Sequence, residues 1–221
     1  MRVDTALALR VLAHELRSPA GVAQGYIRML LEGRLPDGDG QRRALEQIRD
    51  VLGRIGQLSG QASETAAWLE RLDGTGVQHV AARALVDDAL AEAQQSHTLE
   101  TTCEAAVETA SLGTTDRRAL AAAIGAFVGA TARERPGQPT RVRVGTTSSP
   151  ALLEILAGSG EGVLALAAGP LDPGATPLVV ERGGLGLALV TAALVLDSHG
   201  ATTWSIDGQR GACGIRLPLS T

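Results

Sequence analysis

The sequence predicts an α-helical hairpin followed by an α+β sandwich, and three observations predict it. From Leu9 the apolar residues step by fours and threes through Ala13, Leu16, Ala20, Ala23, Ile27 and Leu30, the spacing of a bundle helix. A second series, Leu45, Ile48, Leu52, Ile55, Ala62, Ala66 and Leu69, follows the turn-forming stretch GRLPDGDGQ at 33–41. Past LDGTG at 72–76 the pattern changes to short extended segments separated by helical ones. A single hairpin leaves a long apolar stripe in water. Two copies would bury it as a dimeric four-helix bundle, so a homodimer is expected.

The division of the chain is therefore a helical hairpin over 1–73 and a second domain over 77–221. In that domain VQHV at 77–80 is strand-like, 81–95 is helical, and SHTLET returns to extended chain. TLETTCEAAVE at 98–108 is acidic and threonine-rich, the composition of a solvated strand and turn. Thr115 or Asp116 caps a helix reaching about Arg135, where RPGQP stops it. RVRV at 141–144 and ALLEIL at 151–156 are neighbouring strands, and a segment rich in glycine and proline runs on to about Thr176. GGLGLALVTAALVLDSHG is a helix apolar on nearly every side, hence buried against the sheet. Thr202–Ile206 and Ala212–Leu217 alternate across DGQRG as a hairpin. The helices are expected on one face of the sheet.

Composition narrows the function. Of 221 residues 44% are hydrophobic but only 2% aromatic, so the core is leucine, valine and alanine. All 20 basic residues are arginine, and the chain has neither lysine nor asparagine. A net charge of -4 and a pI near 5.6 argue against a nucleic-acid partner, which needs a basic face. Cys103 and Cys213 fit no metal spacing and read as free thiols in a reducing compartment. No apolar run reaches the roughly 18 residues of a membrane span, and no signal-peptide layout opens the chain. The expectation is a cytoplasmic protein with no membrane partner and no metal site.

LAHELRSPAG at 12–21 carries the one constellation with chemistry in it. Ala13 and Leu16 are seam positions, so His14 and Glu15 fall outside the seam, on the wet side. Glu15 could accept the imidazole's second N–H and leave the other nitrogen free to attack. Pro19 has no N–H, so the carbonyl of Glu15 loses its helical partner and a bend is expected there. Nucleophile, base and local distortion together suit covalent transfer to histidine. A solvated His–Glu pair on an ordinary helix would look the same. His79, His97 and His199 sit in separate elements without ligand spacing and read as surface or loop residues.

AHELRSPAGVAQGYIRMLLEG resembles the H-box of bacterial sensor histidine kinases, whose dimerisation helices carry a phosphorylated histidine. The resemblance extends over most of the chain: residues from about 77 resemble the family's ATP-binding domain, and GGLGLALVTAALVLDSHGATTWSIDGQRGACGIRLPL its C-terminal end. It implies that the second domain is a sandwich of histidine-kinase-like ATPase type. It also implies that His14 is the phosphoacceptor, that Glu15 is the acid/base beside it, and that Ser18 helps align water when a partner's aspartate is dephosphorylated. Gly160 and Gly162, then Gly184 and Gly186, fall on the two glycine boxes of the nucleotide site.

Other positions depart from the family. Its Mg²⁺-holding asparagine and preceding acid fall on Gly129 and Val128, the following lysine near Ala132, and the adenine-reading aspartate on Gly158. Arg133 and Arg182 could lend positive charge near a phosphate. A lost buried hydrogen bond costs about 1–3 kcal/mol, whereas micromolar-to-millimolar ATP binding amounts to only about 4–8 kcal/mol. The expected function is thus a phosphorelay protein that carries phosphate on His14, exchanges it with response-regulator receiver aspartates, and needs no cofactor. The alternatives are an ATP- and Mg-dependent kinase core with an atypical nucleotide site, and a non-catalytic pseudokinase scaffold.

Overall fold

The computed structural model describes residues 5–35, 37–71, 76–168, 186–205 and 212–220. Helices α1 (Thr5–Leu31) and α2 (Asp37–Arg71) form the hairpin. α1 closes where Gly33 takes a left-handed φ of 63° and the Gly33 and Arg34 amides bond back to the Leu30 and Met29 carbonyls. It runs unbroken through Pro19, which is buried.

The seam within one chain differs from the stripe that the spacing predicts. Ala8, Pro19 and Ala23 on α1, and Ala44, Leu58 and Thr65 on α2, are the buried positions. Leu9, Ile27, Leu45 and Leu52 stand 44–61% exposed. The hairpin thus carries a closed apolar stripe and an open one beside it, which a count by threes and fours merges into one.

The second region begins with β1 (Gln78–Ala81), which pairs antiparallel with β3 (Ser111–Thr114), and α3 (Ala82–Gln94) follows β1. A five-stranded sheet has the order β2-β4-β5-β7-β6: β2 (Leu99–Cys103), β4 (Thr140–Ser148), β5 (Ala151–Gly158), β7 (Cys213–Pro218) and β6 (Thr202–Trp204). Among the described strand pairs only β2–β4 is parallel. Asp116 caps α4 (Arg117–Arg133) by accepting the Ala119 N–H at 2.9 Å.

Strand alternation sends Val142, Val144, Leu153, Ile155, Ala157, Cys213, Ile215 and Leu217 to one face, where α3, α4 and α6 (Gly186–Ser198) cover them. The glycine- and proline-rich stretch holds a further helix, α5 (Gly160–Ala168), which is opened by the Ser159 hydroxyl accepting the Gly162 N–H at 2.8 Å. α5 lies on the opposite face, with Val163 and Leu166 packed against Leu156, Ala212 and Trp204. The expectation of helices on one face alone is therefore corrected. Leu156 faces away from Ile155 by strand alternation and draws its own apolar cover.

α6 joins the two regions. It packs on α4 within the sandwich and also against α1 and α2. Ala8 belongs to the sandwich's core, and Val11 packs against it. Among the described residues no helix is long and apolar enough to cross a membrane.

Candidate functional site

α1 holds His14 in the open. The imidazole is exposed, and among the described residues it makes no side-chain hydrogen bond. Ser18, one turn further on the same face, is exposed as well.

Glu15 is not on the wet side with them. Neighbouring helical residues point about a third of a turn apart, so the step from His14 to Glu15 carries the carboxylate under α6. Its side chain is 17% exposed, and Arg54 Nη2 on α2 lies 3.8 Å from Oε2. A Cβ built on Gly186, the first residue of α6, would stand 3.1 Å from Oε2 and 3.2 Å from Cδ. Gly186 has φ +54°, so glycine is favoured there for conformation as well as for space. The first turn of α6 contains no acidic residue, and Glu15 brings negative charge to that positive helix end from another element.

A turn-by-turn contact continues behind it. Thr65 Oγ1 on α2 lies 2.8 Å from Thr191 Oγ1 on α6. Each hydroxyl also reaches the carbonyl four residues back, Gln61 O at 2.7 Å and Leu187 O at 2.9 Å. Two hydroxyl protons serve three contacts, so the interhelix bond is shared in time with the local ones. Arg54, Thr65 and Thr191 carry no sequence motif. The available signal was Thr65 itself, a hydroxyl on the buried α2 stripe of Ala44 and Leu58.

The described glycines divide between the two faces. Gly160 and Gly162 open α5 on the outer face, where the Arg141 guanidinium lies against Gly160. Gly186 opens α6 on the inner face, and Gly184 and Arg182 lie outside the described residues. On α4 the positions of the family's metal-holding pair are apolar and shut: Val128 is fully buried, Gly129 is buried, and Ala132 is 5% exposed. Arg133 is exposed and donates to the Gly129 carbonyl at 3.4 Å. These described residues do not fit a Mg-nucleotide: the side-chain oxygen on that stretch of α4, Thr131 Oγ1, is buried and turned to the Phe127 carbonyl and the Cys213 sulfur at 3.0 Å, and a carboxylate already faces the start of α6.

The other sequence-marked groups are structural. His199 is half-buried: Nε2 lies 2.9 Å from Thr114 Oγ1, and Nδ1 lies 2.8 Å from the Val195 carbonyl. It therefore braces the end of α6 against the end of β3 rather than sitting loose on the surface. His79 bonds Ser220 at 3.0 Å, and His97 is half-buried near Gly129. Both cysteines are free, Cys213 buried and Cys103 partly so. Burial raises the Cys103 thiol, with the Arg83 guanidinium pulling the other way.

Among solved structures, the chain resembles the Acinetobacter baumannii histidine kinase AdeS with a TM-score of 0.55 at 17% identity, covering 94% of this chain and 98% of that one. It also resembles full-length ShkA, solved in complex with AMPPNP, with a TM-score of 0.52 at 13% identity, covering 96% of this chain and 46% of that one. No protein-family model and no curated protein matches. The fold is histidine-kinase-like: two long N-terminal helices followed by a sandwich of the ATPase type.

Proposed function

We propose that the chain is a two-component signalling protein of phosphorelay type, which accepts a phosphoryl group on His14 from a receiver aspartate and returns it to another. The observation that carries this reading is an exposed imidazole, without a side-chain hydrogen bond among the described residues, on the first helix of a histidine-kinase-like hairpin. A ring nitrogen attacks the phosphorus of the aspartyl phosphate. The N–P bond forms as the acyl P–O bond breaks, the aspartate leaves as carboxylate, and the second ring nitrogen releases its proton. The same steps reversed hand phosphate to the next receiver.

The apolar lining of α4 favours this reading over ATP-dependent autophosphorylation, as does the placing of Gly160 and Gly162 on the face of the sheet opposite Gly186. The proposed partners are response-regulator receivers and a second copy of the chain, joined through the stripe of Leu9, Ile27, Leu45 and Leu52. Val22, 45% exposed one turn beyond Ser18, offers an aliphatic contact to a receiver.

The test is transfer from a receiver phosphorylated with labelled phosphate. Label should move to the wild-type chain and not to His14→Ala. Transfer that persists in His14→Ala would sink the assignment. Label taken from Mg-ATP without any receiver would make the chain a kinase, and receiver binding without transfer would make it a scaffold.

A further inference from the structure

We infer that a cavity on the outer face of the sheet, between the start of α5 and the β2–β4 edge, binds a small phosphate-bearing molecule. The site is separate from His14 and does not rest on the phosphorelay reading.

The cavity measures about 610 Å³, within the usual size of a small-molecule site. Arg135 and Pro139 line it from the turn after α4, Arg141 from β4, and Ser159, Gly160 and Leu164 from the start of α5. Arg141 alternates with the buried Thr140 and Val142, so it points away from the face that α3, α4 and α6 cover.

Positive groups there exceed what the chain itself uses. Arg141 gives one bond, from Nε to Oε2 of Glu100 at 3.1 Å, and Glu100 also lines the cavity. The Arg141 Nη1 is turned to α5, 2.6 Å from where a Cβ on Gly160 would stand. A guanidinium laid against the first turn of a helix adds charge to an end that is already positive, an arrangement that an anion between them relieves. Arg135 has still less to bind. Its Nη2 donates to the Gln138 side chain, and its Nη1 is buried without a hydrogen-bond partner. Buried donors are normally satisfied, so an orphaned one in the wall of a cavity points to an acceptor brought from outside. The first two amides of α5, at Gly160 and Glu161, precede the one that Ser159 caps and have no partner within the helix.

A phosphate monoester suits this set better than a carboxylate, because its three terminal oxygens can meet both guanidinia and the helix amides together. Glu161, exposed in the first turn of α5, offsets the helix end in the free chain and so competes with the ligand. Leu164, 70% exposed, and Pro139 offer apolar surface to the remainder of the molecule.

The probe is phenyl phosphate, titrated without Mg²⁺ into the full-length chain by calorimetry at low ionic strength. Saturable binding is expected, and Arg135→Gln and Arg141→Gln should each weaken it about tenfold, the share of one charge-assisted contact. Glu161→Gln should tighten it, since a like charge leaves the site. Arg133→Gln, at the end of α4 and outside the cavity, should leave the affinity alone. Inorganic phosphate should bind more weakly than phenyl phosphate, having nothing to set against Leu164 and Pro139. In the absence of ligand, Arg135→Gln should melt no lower than wild type, because its orphaned nitrogen holds nothing in place.

No heat at millimolar probe would overturn the site. Binding that survives both arginine substitutions would place the anion elsewhere, and an equal loss in Arg133→Gln would reduce the effect to diffuse attraction. An early melt of Arg135→Gln would make that arginine part of the fold and count against the proposal. The gain in Glu161→Gln then still decides, because weaker binding in that variant would reverse the role given to its carboxylate.

Discussion

Cys213 sits sealed in the sandwich, its sulfur 3.0 Å from the Thr131 hydroxyl, and burial pushes its thiol up to about 11 from an ordinary 9.0. The folded chain thus keeps a proton that the unfolded chain gives up first. Stability from this group is complete below pH 9 and drains away as pH rises toward 11, a loss of about 2–3 kcal/mol. Urea unfolding across that range should show the decline in wild type, and Cys213→Ala should show less of it. Asp116 gives a second residue-scale test. Asp116→Ala removes the cap on α4 and should cost about 1 kcal/mol in the same assay. That cap was legible because capping is local chemistry, written within three residues of the helix start. The placement of Glu15 was not. It depends on α6, distant in sequence, and the heptad frame reports only what one helix shows its nearest neighbour.

Between elements, α3 and α4 bring backbone close to backbone. A Cβ on Gly125 would stand 2.7 Å from the Ala89 carbonyl oxygen, a backbone atom that no rotamer change can move aside. Two effects oppose each other in Gly125→Ala. Helix propensity favours alanine by about 1 kcal/mol, while forcing two buried helices apart costs about 1–3 kcal/mol. The clash should win, lowering the melting temperature although a better helix former has been introduced. Leu196→Ala on α6, by contrast, leaves a cavity in the core and should cost about 2–5 kcal/mol by chemical unfolding. α6 was legible as a buried helix because its apolar residues surround it, which only a helix enclosed by other elements can afford. α5 was not, because GSGEG reads as a turn until Ser159 is seen capping the residues that follow.

At the scale of the molecule, the remaining question is what covers the second stripe of the hairpin. Leu9 on α1 and Leu45 and Leu52 on α2 are more than half exposed, while the stripe beside them is closed within the chain. Leu45 and Leu52 are seven residues apart, so they lie one above the other along one face of α2. A second hairpin related by a two-fold axis would bring the same leucines together and complete four helices around a common core. Charge at those positions should therefore act through assembly and spare the sandwich. Leu45→Glu with Leu52→Glu is expected to convert a dimer to a monomer by sedimentation equilibrium, with the melting of the sandwich unchanged. A wild-type chain that sediments as a monomer at tens of micromolar would remove the bundle. The apolar stripe would then need another partner, and a receiver reaching His14 would meet it on an uncovered α2.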